Sequence, residues 1–147
     1  VAIWLAGNRI TATKLNEYST EQEDTTAGRT TTSTTFTDLS GGAFSASVTV
    51  PFSGTVLVTI RCTQRNSTTN NSITSFDASG SVSGSVYSAS TTAAVIVTNT
   101  NNFSLTLQKR LTGLVAGETL TVTSKHRVNA ASTLTADYRI IILESVQ

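Results

Sequence analysis

From about residue 32 onward, apolar and hydroxyl-bearing side chains alternate with a period of two, and no other feature limits the fold so tightly. In an extended strand successive side chains point to opposite faces, so this alternation gathers the apolar residues of a segment on one side. Phe44, Ala46, Val48 and Val50 are spaced in this way among serines and threonines. The pattern returns in Phe103, Leu105 and Leu107, and again in Leu120, Val122, Ser124, His126 and Val128. The last such segment holds Leu134, Ala136, Tyr138, Ile140 and Ile142. Val56, Val58, Ile60 and Cys62 share one face of another segment, whose second face (Leu57, Thr59, Arg61) is also partly apolar. A strand apolar on both faces belongs inside a sheet. Weaker strands are expected at 33–38 around Phe36, at 73–78, at 82–89 and at 92–98.

Turn signals separate these segments: Gly41-Gly42, Pro51 followed by Ser53-Gly54, Asn99 to Asn102, and Asn129 to Ser132. The result is about eight strands at the roughly 8–12-residue spacing of all-β domains, with no helical pattern between them. An all-β, antiparallel β-sandwich or jelly roll is therefore expected over residues 32–147.

Charged residues make up only 13% of the 147-residue chain, and Thr, Ser, Asn and Ala take their place. Helical proteins carry Glu, Lys and Arg on their wet faces, so such a composition speaks against an all-helical fold. A net charge of +1 and the absence of a basic stripe argue against a nucleic-acid partner. One cysteine permits no internal disulfide. No apolar run reaches the roughly 20 residues of a membrane-spanning helix, and Val1 to Ala6 lack the basic flank of a signal peptide, so no membrane insertion is expected. Arg9 and Lys14 against Glu17, Glu21, Glu23 and Asp24 give residues 1–28 a net −2, leaving +3 for the rest.

The first 31 residues read differently, as an anchor segment and linker. Thr11 suits a helix N-cap, and Ile10 and Leu15 suit a hydrophobic staple, which predicts two helical turns over 12–19. So short a helix needs a surface to pack on, as do Ile3, Trp4 and Leu5. Either the segment straps its own domain or it docks on another protein. Residues 19–34 show no apolar periodicity and read as a linker or a poorly packed extended strand.

Catalytic signals are missing. His126 falls in phase with Leu120, Val122 and Val128, which predicts a buried imidazole; Cys62 falls in phase with Val58 and Ile60. Asp38, Asp77, Glu118, Asp137 and Glu144 are scattered, and no phosphate loop, dinucleotide fingerprint or nucleophile elbow occurs. The expectation is a non-enzymatic protein without metal or cofactor. Polar loops at 65–72 and 80–90 offer hydroxyls and amides to a host-surface glycan, with Asn66, Thr68, Asn70 and Tyr87 as candidate contacts.

Three stretches resemble proteins of tailed bacteriophages, especially those infecting actinobacteria. They are Leu5 to Asn16 (LAGNRITATKLN), Val48 to Ile60 (VTVPFSGTVLVTI) and Leu111 to Val122 (LTGLVAGETLTV), the last continuing to Tyr138-Arg139-Ile140-Ile141. The β segments are also similar to the jelly roll of the C1q and tumour-necrosis-factor type, where a Val-Pro-x-x-Gly turn joins two core strands. The resemblance implies a virion structural protein. It would be a homotrimeric minor tail or short-fibre component, or a capsid decoration protein of the same fold. It also implies attachment to other virion proteins through the N-terminal segment, with Ile3, Trp4, Leu5, Ile10 and Leu15 as the attaching residues. Residues 78–92, rich in Ser and Gly, depart from the family pattern.

Overall fold

The structure, a computed structural model, describes residues 19–146. The expected helix, and with it Ile3, Trp4, Leu5, Ile10 and Leu15, lies outside the described residues, except that Ser19 opens the first strand. Ten strands form two antiparallel sheets. The first sheet runs in the order β1 (Ser19–Asp24), β10 (Leu134–Ser145), β4 (Val56–Asn66), β8 (Phe103–Leu111), with β2 (Arg29–Thr31) also pairing β10. The second runs β3 (Ser45–Thr49), β9 (Thr119–Val128), β5 (Ser72–Gly80), β6 (Gly84–Tyr87), with β7 (Val95–Val97) also pairing β5. Consecutive strands cross repeatedly between the sheets, as in a jelly roll.

Alternation explains most of this. Ala46 and Val48 on β3, Val56, Val58 and Ile60 on β4, and Leu120 and Val122 on β9 turn inward and meet Phe76, Ile141 and Leu143 in one core. A second, smaller cluster of Leu39, Cys62, Val95, Val128, Leu134 and Ala136 fills the other half. β4 is central, as its two-sided apolarity predicts.

Residues 19–31, read as a linker or a poorly packed extended strand, supply β1 and β2, which lie one after the other along one edge of β10. Their weak periodicity is that of an edge strand: Glu21 and Glu23 face water, while Asp24 turns inward to Arg139. Residues 33–38 make only a single bridge, Thr37 to His126, rather than a strand. β5, weak by sequence, is the most buried strand of its sheet, because Ser72, Thr74 and Ser75 each find a hydrogen-bond partner. Finally, β10 carries a bulge between Ala136 and Tyr138. One extra residue reverses the faces downstream, so Arg139, Ile141 and Leu143 point inward and Tyr138, Ile140 and Ile142 point outward.

The sandwich has two distinct ends. The chain enters at Ser19, opposite Glu144, and Val146 donates its N–H to Thr55 O at the same end. The turns at 50–55, 81–83 and 112–118 close this entry end. Loops 67–71, 98–102 and 129–133 close the far end.

Candidate functional surfaces

The interior between the sheets holds a polar chain. Gln64, fully buried, donates to Ser72 O at 2.9 Å and accepts from Thr74 Oγ1. Thr74 has one hydroxyl proton, already given to Gln64 Oε1, so its oxygen accepts from His126 Nδ1 at 2.8 Å. Nε2 then accepts from Ser124 Oγ at 3.2 Å, which fixes the neutral Nδ1-protonated tautomer. Burial first, then the nearby charges of Arg139 and Lys125, push the His126 pKa down to about 3. Burial pushes the Cys62 thiol up to about 12. Neither group is poised as base or nucleophile at neutral pH. Arg139 forms an ion pair with Asp24 and stacks its guanidinium 4.7 Å from the Phe44 ring centroid. Among the described residues no cluster of three or more His, Cys, Asp or Glu could hold a metal ion, and no helix is long and apolar enough to cross a membrane.

At the entry end, one carboxylate joins two of the three turns. Glu118 is buried, and its Oε2 accepts the N–H groups of Val82 and Ser83, both at 3.0 Å. Oε1 accepts the Val115 N–H at 3.0 Å and the Ser83 hydroxyl at 2.8 Å. The Ser83 N–H foremost, and then those of Val82 and Val115 with the Ser83 hydroxyl, outweigh burial and hold the carboxyl down to about 2. Gly80 makes room for it: a Cβ there would lie 2.1 Å from Oε2. Leu114 N–H donates to Gly54 O, and Gly54 sits at φ +64° where a Cβ would meet Leu114 O at 2.6 Å. Each of these fixed turns exposes one large apolar side chain, Phe52 (76%), Val82 (72%) and Val115 (44%).

The outer face of the first sheet is the second surface. The β10 bulge places Tyr138, Ile140 and Ile142 there, half-buried, beside Leu57 of β4. Acidic side chains border this stripe on one side: Glu21 and Glu23 on β1, with Glu144 at its end. Basic ones border it on the other: Arg61, which lies 5.8 Å from the Tyr138 ring centroid, and Arg110 on β8.

The far end contains three of the four surface residues expected from sequence. Asn66 is buried, not surface-exposed: its Oδ1 accepts the Thr68 N–H at 3.0 Å and its Nδ2 donates to Ser72 Oγ at 3.0 Å. It shapes the loop and is out of a ligand's reach. Thr68 is exposed, and its hydroxyl oxygen accepts the Asn70 N–H at 3.1 Å. Tyr87 is not with them. It packs on Phe76 with ring centroids 4.7 Å apart, bonds Ser90 through its hydroxyl, and lies under Lys109. The aromatic that does reach solvent at the far end is Phe103, 45% exposed. It faces inward on β8, but β7 opposite is only three residues long and does not cover it. A groove of about 190 Å³ lies here, lined by Ile96, Val97, Thr98, Asn99, Phe103 and Leu105.

No protein-family model matches the sequence, and no curated protein matches it. Among solved structures, the chain is similar to Eiger TNF from S. frugiperda, at 13% identity and a TM-score of 0.46 over 88% of this chain and 94% of that one. It is also similar to Arthrobacter globiformis T6 isomalto-dextranase complexed with panose, at 16% identity and a TM-score of 0.44 over 85% of this chain. The chain spans only 23% of the length of that second protein. Neither likeness bears on what this chain does.

Proposed function

We propose that the chain is a non-enzymatic structural component of a tailed-phage virion, a minor tail or short-fibre protein that assembles as a homotrimer. The observation that carries this reading is the outer face of the first sheet, an apolar stripe of Leu57, Tyr138, Ile140 and Ile142 between an acidic and a basic border. Copies related by rotation can bring the acidic border of one against the basic border of the next, and such head-to-tail contacts close into a ring.

Attachment belongs to the entry end. Residues 1–18, with Ile3, Trp4, Leu5, Ile10 and Leu15, precede Ser19, which lies at the end that exposes Phe52, Val82 and Val115. The resemblance to phage proteins supplies the virion as the location, and a head decoration protein would use the same two surfaces with a different partner. Particles assembled with a chain lacking residues 1–18 test the attachment; the deletion must stop at 18 because Ser19 to Asp24 pair with β10. The expected result is loss of the protein from the particle with the sandwich still folded, and full incorporation would contradict it. A reconstruction of the particle places the chain on tail or head.

A further inference from the structure

We infer that the groove between β7 and β8 is a binding site for a neutral saccharide, with one pyranose unit stacked on Phe103. The lining joins two chemistries. Phe103, Leu105 and Ile96 expose apolar surface, at 45%, 36% and 42%. Thr98 and Asn99 form a polar rim. A pyranose has the same division, with C–H groups on its faces and hydroxyls around its edge, and an exposed aromatic ring is the natural platform for the C–H face. A groove of about 190 Å³ holds about one such ring.

The rim is held in place before any ligand arrives. Asn99 O accepts the Asn66 N–H at 2.7 Å, and Asn99 Oδ1 accepts the Asn101 N–H at 2.9 Å. Its amide nitrogen has no protein partner among the described residues. The Thr98 hydroxyl donates to Asn71 Oδ1 at 2.7 Å, which leaves its oxygen as an acceptor. The rim thus offers one donor and one acceptor, the two functions a sugar hydroxyl combines. Order already present in the free protein lowers the cost of binding.

Other ligand classes fit less well. No charged side chain lines the groove, so an ion has no counter-charge there. An apolar protein surface would bury the Asn99 amide nitrogen without a partner, which a sugar hydroxyl would supply. The far end is also opposite the end where the chain enters. That it faces away from the particle rests on the attachment proposed above; the chemistry of the groove does not.

Calorimetric titration of the full chain with a panel of neutral gluco-, galacto- and manno-oligosaccharides tests the inference. At least one member is expected to bind, with a Kd on the order of 1 mM. Phe103→Ala is expected to weaken that binding 10-fold or more with unchanged melting temperature and unchanged sedimentation mass. Phe52→Ala, at the entry end, is expected to leave it unchanged. No binding across the panel overturns the inference, as does undiminished binding by Phe103→Ala. A lower assembly mass for Phe103→Ala overturns it too, by making the groove a contact between copies. A wild-type chain that is monomeric yet binds saccharide would refute the trimer and leave this inference standing.

Discussion

His126 sits at the centre of the sandwich as a neutral ring, and that has a measurable consequence. In the unfolded chain its pKa is 6.5; in the folded protein it is about 3. Between those values the unfolded state binds the extra proton, so stability falls as pH falls, by up to about 1.4 kcal/mol per pH unit. Asp24 and Glu118 add a second decline. Against the burial that opposes it, the hydrogen bond from Arg139 holds Asp24 down to about 2, from an ordinary 3.8. Glu118 is also held at about 2, so both lose stabilisation as pH falls through 4. Urea unfolding midpoints measured against pH are expected to decline from about pH 6.5 and to steepen below 4.5; His126→Gln removes the first decline and keeps the second. A flat profile between 6.5 and 4.5 in the wild type contradicts a buried neutral imidazole. Removing the Asp24 carboxylate is a harsher change, because Arg139 is only 4% exposed. Asp24→Asn is expected to cost about 3 kcal/mol in chemical denaturation by leaving a buried guanidinium without its counter-ion. At the entry end, Glu118→Gln replaces one of the two acceptor oxygens that hold two turns with an amide group that can only donate, and hydrogen exchange at the Val82, Ser83 and Val115 amides is expected to accelerate while the β4 and β9 cores stay protected.

Among the elements, β4 and β10 show what a sequence reveals and what it hides. The inward set Val56, Val58, Ile60 and Cys62 is plain from alternation, and so is the central place of β4. β10 is not plain. Tyr138, Ile140 and Ile142 continue the phase of Leu134 and Ala136, while Ile141 and Leu143 offer an equally apolar phase one residue out of step. Only the bulge after Ala136 selects the second, and nothing in the sequence marks it. The apolar outer stripe was hidden for the same reason, since Tyr138, Ile140 and Ile142 are residues that alternation assigns to the core. Two side chains, Asn66 and Phe103, are placed where their local sequence does not put them. Asn66 looks like a surface amide but spends its side chain on its own loop. Phe103 looks like an ordinary strand residue, and its exposure depends on the shortness of β7, a partner some six positions earlier that pairs with the other sheet. Glu118 looks isolated because its partners Val82 and Ser83 are more than thirty residues away in sequence. The β10 assignment is itself testable. Ile141→Ala is expected to cost about 2–5 kcal/mol of stability, as a fully buried side chain should, whereas Ile140→Ala costs much less in the isolated fold. Equal costs contradict the reversed phase.

At the scale of the whole molecule, the sandwich has a polarity and a lateral face. Chain entry and three exposed apolar turns mark one end, the Phe103 groove marks the other, and the outer face of the first sheet lies between them. Self-association through that face is the central claim. Because its borders are charged and oppositely signed, assembly is expected to weaken as salt is raised, while the apolar stripe keeps it from vanishing. The direct measurement is sedimentation mass at micromolar concentration, for the wild type and for Ile142→Glu. A mass near three times 15.4 kDa for the wild type and near 15.4 kDa for a still-folded Ile142→Glu is the predicted result. A wild type that stays monomeric, or an Ile142→Glu variant that keeps the full assembly mass, contradicts the account.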